Sequence, residues 1–420
     1  MVSKGIIPLL ASKLEKKDIL TKNILGKLVI LSLKNNMAGL YIHIPFCASR
    51  CIYCGFYSTT QQSLHQQYVD MLCHEMDLRQ TEITGEQADT DNTITTIYLG
   101  GGTPSMLSGN QLEQILLYIY KVWSKHIDLR ELTIECNPDD VTQAFAARLA
   151  TLNVNRVSMG AQTFNNNRLR FLHRRHNREE IMQAVNHLRH VGIKNISIDL
   201  MFGFPEETME EWQTDLQEAI KLDVEHISAY SLMYEEGTPL FHMKQKKKIK
   251  DIDEETSLAM YEMLINQLTK TGYEHYEISN FARPGYRSLH NSSYWHEVPY
   301  IGLGASAHSY GHGTRKWNIS NIKTYMDSIA CNRLPYEIEI LNQNMQYNDL
   351  ITTALRTREG INLTNFKRKY GEERLNYLLH EAKPHLDLGN MELSRHHLSL
   401  TRKGLFTSDD IMSDLIYIED

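Results

Sequence analysis

The chain has few cysteines, no long apolar run and no excess of positive charge. Six cysteines in 420 residues are too sparse for a disulfide scaffold, and no secretory signal is visible, so a reducing cytosol is the expected compartment. No stretch approaches the roughly 18 uninterrupted apolar residues of a membrane-spanning helix, which argues against stable membrane insertion. A net charge of −7 argues against a protein that coats nucleic acid, and no separate basic domain is visible. Hydrophobic content of 42% and charged content of 23% are those of an ordinary globular protein. Neither an internal repeat nor a low-complexity tract stands out.

What is present is unevenly placed. Residues 1–36 are lysine-rich and lack arginine, and their apolar run "ILGKLVILSL" is interrupted by Lys27. Met37 stands directly before "AGLYIHIPFC". The segment is therefore expected to be a poorly ordered extension rather than a membrane-surface helix or a targeting peptide. From Leu40 to about Leu240 a short β-rich run, a turn and a helical stretch alternate. The runs are 40–44, 94–100, 131–136, 156–160, 195–203 and 226–232; amphipathic segments lie around 62–82, 109–124, 141–152, 178–191 and 208–222. Several runs are apolar without alternation, as strands buried on both faces should be. Six such units predict an α/β fold, a partial (β/α)6 TIM-type barrel over 37–243. The run "KQKKKIKDIDEE" switches from basic to acidic and reads as a solvated connector at 244–255. A smaller α+β C-terminal domain, winged-helix-like, is expected over 256–420, with a hairpin at 391–401.

In such barrels the chemistry gathers on loops at the carboxyl ends of the strands. The unusual residues fall there. The cysteines follow the first run, "GGGTPS" (100–105) follows the second, and Glu135 ends the third. Gln162 follows the fourth run, while Asp199 and Tyr230 lie late in the fifth and sixth. "HIPFCASRCIYCGFYS" (43–58) places Cys47, Cys51 and Cys54 at a C-x3-C-x2-C spacing. Three thiolates so spaced suit a cubane iron–sulfur cluster with one iron left without a protein ligand. Structural zinc would want a fourth ligand, and none follows closely. A thioredoxin-like pair needs two cysteines, not three. Cys73, Cys136 and Cys331 have no thiol near them in sequence and read as structural.

The cysteine spacing, with Tyr53 beside it, resembles the radical S-adenosylmethionine (SAM) superfamily. The resemblance implies a [4Fe-4S] cluster whose open iron is chelated by SAM's amino and carboxylate groups. It also implies cleavage of the sulfonium to a 5′-deoxyadenosyl radical by an electron from the cluster. Gly100, Gly101 and Gly102 would let backbone approach that ligand closely. Glu135 suits a cation, Asp199 and Gln162 suit ribose hydroxyls, and Arg174 suits a carboxylate. "LYIHIPFC", "GGGTPS", "IECNPD", "RVSMGAQTF", "IDLMFGFP" and "YIGLGASAHS", in that order over 40–309, are similar to the oxygen-independent coproporphyrinogen III oxidase family. Matched motif by motif, that family implies SAM contacts at Tyr41, Gly101, Gly102, Thr103, Glu135, Gln162, Arg174 and Asp199. Its Tyr-x-His pair falls on Tyr41 and His43.

Two departures point to one branch of the family. The oxidases carry a fourth cysteine two residues after the third, where this chain has Phe56. "HNSSYW" (290–295) resembles the HNxxYW motif of HemW-type heme chaperones, which share the barrel and cluster, bind heme and pass it to acceptor hemoproteins. Histidine is a common axial heme ligand, and Tyr294 and Trp295 offer broad aromatic faces. His290 is thus the candidate heme ligand; the alternative is that it caps a turn while the aromatics pack a domain junction. His308 in "SAHS" is a further histidine expected near the SAM pocket. The resemblance implies a heme chaperone holding a [4Fe-4S] cluster, exchangeable SAM and heme, with acceptor hemoproteins as partners and a homodimer as its assembly. The competing readings are a true oxidase, which would convert two propionates of coproporphyrinogen III to vinyls, and a tRNA-modifying enzyme, which would want the missing basic domain.

Overall fold

The computed structural model describes residues 37–83 and 92–419; the expected extension at 1–36 lies outside them. Strands β1 (Met37–Ile44), β2 (Thr93–Gly101), β3 (Ile127–Cys136), β4 (Arg156–Gln162), β5 (Asn195–Phe202) and β6 (His226–Ser231) pair in parallel in that order. The helices between them include His65–Leu78, Gly109–Trp123, Gln143–Thr151, Arg178–His190 and Met209–Leu222. This is the alternation expected of a partial barrel. Helix starts follow local chemistry: Ser108 with Gln111, Asn177 with Glu180 and Thr208 with Glu211 form reciprocal capping boxes, each satisfying two otherwise unpaired backbone donors. Trp212, fully buried, ties Met209–Leu222 to the helix Glu254–Lys270 by donating from Nε1 to Met260 O at 2.9 Å.

The sheet does not stop at six strands. Antiparallel β7 (Glu274–Glu277) and β8 (Asn280–Ala282) extend it beyond β6. On the other edge β9 (Tyr300–Leu303) lies parallel to β1, with Tyr41 opposite Gly302, and leads to antiparallel β10 (His308–Gly311), β11 (Thr314–Asn318) and β12 (Tyr336–Ile340). Twelve strands result. The connector at 244–255 therefore does not separate two cores. Met260, Leu264, Phe281, Leu303, Tyr325 and Ile329 share one buried cluster with Leu40 and Ile97. A separate cluster runs from Tyr347 to Leu415 around the remaining helices and a sheet of β13 (Ile361–Asn362), β14 (Met391–Ser394) and β15 (His397–Leu400). The physical reason is β9: without it the backbone donors and acceptors of β1 would form an open edge beside the cysteine loop.

Glu75 locks this extension onto the barrel. Its carboxylate, fully buried, accepts from Gly304 N (2.7 Å), Asn318 Nδ2 (2.7 Å), Tyr325 Oη (2.6 Å) and Arg79 Nη1 (3.1 Å). A buried charge is tolerable only when its lone pairs are filled in this way. Among the described residues no helix is long and apolar enough to cross a membrane.

Candidate cofactor site

The cysteine loop is held from behind while its thiols stay accessible. Cys47 N donates to Thr59 O (2.9 Å) and Thr59 N to Pro45 O (2.6 Å). Phe46 is fully buried, and Ile52 packs with Leu172, Phe204 and Leu240 in a small cluster of its own. Cys47, Cys51 and Cys54 are half-buried free thiols. Two donors are aimed at sulfur: Thr103 Oγ1 lies 3.5 Å from Cys47 Sγ and Arg174 Nη1 3.6 Å from Cys51 Sγ. Burial, together with the like charges of Cys51 and Cys47, raises the Cys54 thiol, so a metal is what would hold it as thiolate. Among the described residues no three His, Cys, Asp or Glu side chains converge tightly enough for a single metal ion. Three thiols with no fourth ligand suit a polynuclear group, each of whose metals needs one of them, better than one tetrahedral ion.

Beside the thiols the glycine loop is moulded to β1. A side chain at Gly102 would meet Ile44 O and Pro45 C at 2.8 Å and Phe46 O at 2.9 Å, all of them backbone. Gly101 has φ +110 and would strike His43. The glycines are thus needed for packing as well as for approach to a ligand. The Gly101 N–H donates to Glu135 Oε2 (3.1 Å), and Tyr98 Oη donates to Oε1 (2.7 Å). Glu135 is half-buried; burial and the neighbouring Asp199 push its carboxyl up to about 7 against those two donors. Burial lifts Asp199 to about 6, opposed by Ser228, Arg156 and Arg174. Two carboxyls poised near neutrality in one cleft mark a site able to accept hydrogen bonds from a cationic or hydroxylated ligand.

Tyr41 and His43 form the next wall. Tyr41 Oη lies 3.0 Å from His43 Nδ1, and His43 Nε2 lies 3.3 Å from Tyr57 O. A carbonyl only accepts, so Nε2 carries the proton and Nδ1 accepts from Tyr41. Burial holds this imidazole neutral, down to about 4. Across the mouth, Gln162 ends β4 in a left-handed conformation (φ 68), a strained geometry for a side-chain-bearing residue. Its amide and the Arg174 guanidinium both lie over Gly160, whose Cβ they would crowd at 2.6 and 3.0 Å. Arg174 also donates to Gly160 O (2.6 Å) and Asn137 Oδ1 (2.8 Å), while its Nε is buried without a partner. The fold thus gathers Tyr41, Gly101, Gly102, Thr103, Glu135, Gln162, Arg174 and Asp199 around the cysteine loop.

His290 is elsewhere. The helix Leu289–Trp295 closes the opposite end of the barrel, its first backbone N–H groups capped by Glu131 at 2.8 and 2.9 Å. The imidazole is 1% exposed. It stacks on Tyr98 with 5.1 Å between centroids, and its Nδ1 and Nε2 lie 2.8 Å from Thr96 Oγ1 and Tyr294 Oη. Burial and Arg156 lower it to about 3. Both ring nitrogens of His290 are thus engaged within the protein. Two residues of the cleft escaped the sequence reading. Tyr98 shares a strand face with Gly100, and period-two alternation was the available signal. Arg156 is 1% exposed, with Nε and Nη1 unpartnered; an arginine opening an otherwise apolar strand was the clue.

Residues 41–219 match the family model of the radical SAM superfamily, and 341–407 match that of the HemN C-terminal domain. Over 376 residues the chain is 34% identical to the heme chaperone HemW of Bacillus subtilis, spanning 89% of this chain and 98% of that protein. The heme chaperone HemW of Lactococcus lactis is 34% identical over 332 residues, 79% of this chain and 84% of that one. Among solved structures, the coproporphyrinogen III oxidase HemN of Escherichia coli, a radical SAM enzyme, superposes with a TM-score of 0.76 at 22% identity, over 91% of this chain and 90% of that one. That likeness establishes the shared fold.

Proposed function

The chain belongs to the HemW heme-chaperone family of the radical SAM superfamily, and on that premise we propose that it binds heme and hands it to acceptor hemoproteins. Its resident cofactors are a [4Fe-4S] cluster and exchangeable SAM. The observation that carries this reading is the continuity of the likeness, which spans barrel and C-terminal unit together and covers 98% of a heme chaperone's length. Phe56 supports it. Where the oxidases place a fourth thiol, this chain exposes an aromatic ring to 73% of its surface.

Cys47, Cys51 and Cys54 would hold the cluster, with Thr103 and Arg174 donating to sulfur. When bound, the cluster offers SAM an iron with an open coordination position and a source of electrons. The chain's own residues do the rest. Ionised Glu135, oriented by Tyr98 and the Gly101 N–H, accepts from SAM's amino group. Asp199 and Gln162 take its polar hydroxyls, and Arg174 balances the negative charge of the sulfurs. Phe46 and Ile52 close the loop from behind, so electrostatic contacts act in a partly dry cleft.

The test sets the chaperone against the oxidase. Heme-loaded, anaerobically reconstituted protein mixed with an apo-hemoprotein should pass its heme on, read as a shift of the Soret band. The same preparation given coproporphyrinogen III, SAM and reductant should make no vinyl product. Vinyl product without heme transfer reverses the assignment.

A further inference from the structure

The helix Leu289–Trp295 is seven residues long, too short to hold itself together in water, so its order comes from what it touches. Its first two N–H groups donate to Glu131, and Nδ1 of His290 lies 2.8 Å from Thr96 Oγ1. Glu131 and Thr96 are register partners on β3 and β2. Two positions further along β2, on the same face of the strand, stands Tyr98, whose ring stacks on the His290 imidazole. The helix therefore rests on the inner faces of the two strands that carry Tyr98 and Glu135 to the cofactor site.

Tyr98 is buried and reaches both parts of this arrangement. Its ring lies 5.1 Å from that of His290 at 24°, and 6.2 Å from that of Tyr41 at 29°. Its hydroxyl donates to Glu135 Oε1 at 2.7 Å. Gly100 makes the room for this pair: a Cβ there would meet Tyr98 Cε1 at 2.7 Å and Glu135 Oε1 at 3.0 Å. The helix cap at Glu131 and the carboxylate of Glu135 are four residues, roughly 13 Å, apart along β3. A single side chain, Tyr98, touches both the helix and that carboxylate.

From these contacts we propose that Tyr98 is a positioning residue that couples SAM occupancy to the packing of the helix Leu289–Trp295, which carries "HNSSYW". The two states are the helix seated on Thr96, Tyr98 and Glu131, and the helix released from them. SAM's amino group takes lone pairs of Glu135 that Tyr98 and the Gly101 N–H leave open. That fixes the carboxylate and, through its hydrogen bond, the ring of Tyr98. A ring already held loses less freedom when His290 stacks on it, so SAM favours the seated helix. Linkage makes the effect reciprocal: loosening the helix weakens SAM by the same factor. No bond is made or broken. The inference rests on the SAM site and goes beyond the heme-carrier reading, since it holds with or without heme.

The experiment is hydrogen–deuterium exchange on the anaerobically reconstituted full-length protein, with and without saturating SAM. In wild type, SAM should slow exchange across 289–298 by at least about fivefold. Tyr98→Phe keeps the ring and loses the hydroxyl. SAM should still bind this variant, read by calorimetry, and protect the cysteine loop, but the slowing across 289–298 should disappear. Glu131→Gln loosens the helix cap away from the SAM site. It should raise the SAM dissociation constant in the wild-type background and leave it unchanged in the Tyr98→Phe background; a merely structural Tyr98 would make the two effects additive. Wild-type protein that binds SAM with no change across 289–298 overturns the coupling, and a Tyr98→Phe protein that keeps the slowing overturns the assignment to Tyr98. A chain that binds no SAM overturns the cofactor reading itself, which separates the failures.

Discussion

SAM affinity should strengthen as pH rises through 7, and Glu135 is the reason. Its ionised carboxylate is proposed above as the acceptor for SAM's amino N–H groups, and the protonated acid would forfeit part of that capacity. Burial beside Asp199 puts the midpoint at about 7 in the free protein. Roughly one site in ten is then ionised at pH 6 and nine in ten at pH 8, so the dissociation constant should fall over that interval by up to about tenfold. Asp199, lifted to about 6, adds a smaller step at the acid end with the same sign. SAM's own amino group titrates as well, so the informative quantity is the difference between wild type and Glu135→Gln. Calorimetry on anaerobic, cluster-loaded protein at pH 6, 7 and 8 should show the wild-type slope and a flatter one for the amide. Parallel curves for the two proteins would refute the reasoning, because Glu135 would then contribute no titrating acceptor.

Gly102→Ala should cost about 1–3 kcal/mol of stability and lower the yield of reconstituted cluster, since the added methyl meets fixed backbone of the cysteine loop; iron content per chain and a thermal melt check both. Glu75→Ala should destabilise the chain by about 3–5 kcal/mol without altering the SAM dissociation constant of the protein that remains folded, because its four partners are structural; denaturant unfolding reads it. Arg156→Met should move the midpoint of the SAM pH curve upward, since this guanidinium holds down the proton affinities of both Glu135 and Asp199; an unmoved midpoint would remove Arg156 from the electrostatics of the site.

The parts of the molecule legible in the sequence are those set by local chemistry. β4 and β5 read as strands because burial on both faces demands runs such as "RVSMG" and "NISIDLMF", and the cysteine and glycine loops read from spacing alone. What stayed hidden depends on pairing across long separations. β9 joins β1 some 260 positions away in sequence, and an amphipathic pattern announces an apolar face without naming the surface that covers it. For that reason 256–341 looked like part of a second domain, although Met260, Phe281 and Tyr325 pack in the barrel core. The surroundings of His290 were hidden for the same cause. Its motif is visible in sequence, but the enclosure by Thr96, Tyr98 and Tyr294 exists only once β2 and the helix Leu289–Trp295 meet. The His308–Trp317 pair likewise forms only across the β10–β11 ladder.

The account rests on three thiols that leave one iron for SAM to occupy. EPR of the anaerobically reconstituted, reduced protein tests this most directly. A [4Fe-4S]+ signal that changes when SAM is added, and that is absent from Cys51→Ala, is the result the account predicts. Zinc in place of iron, or a cluster spectrum untouched by SAM, would contradict it.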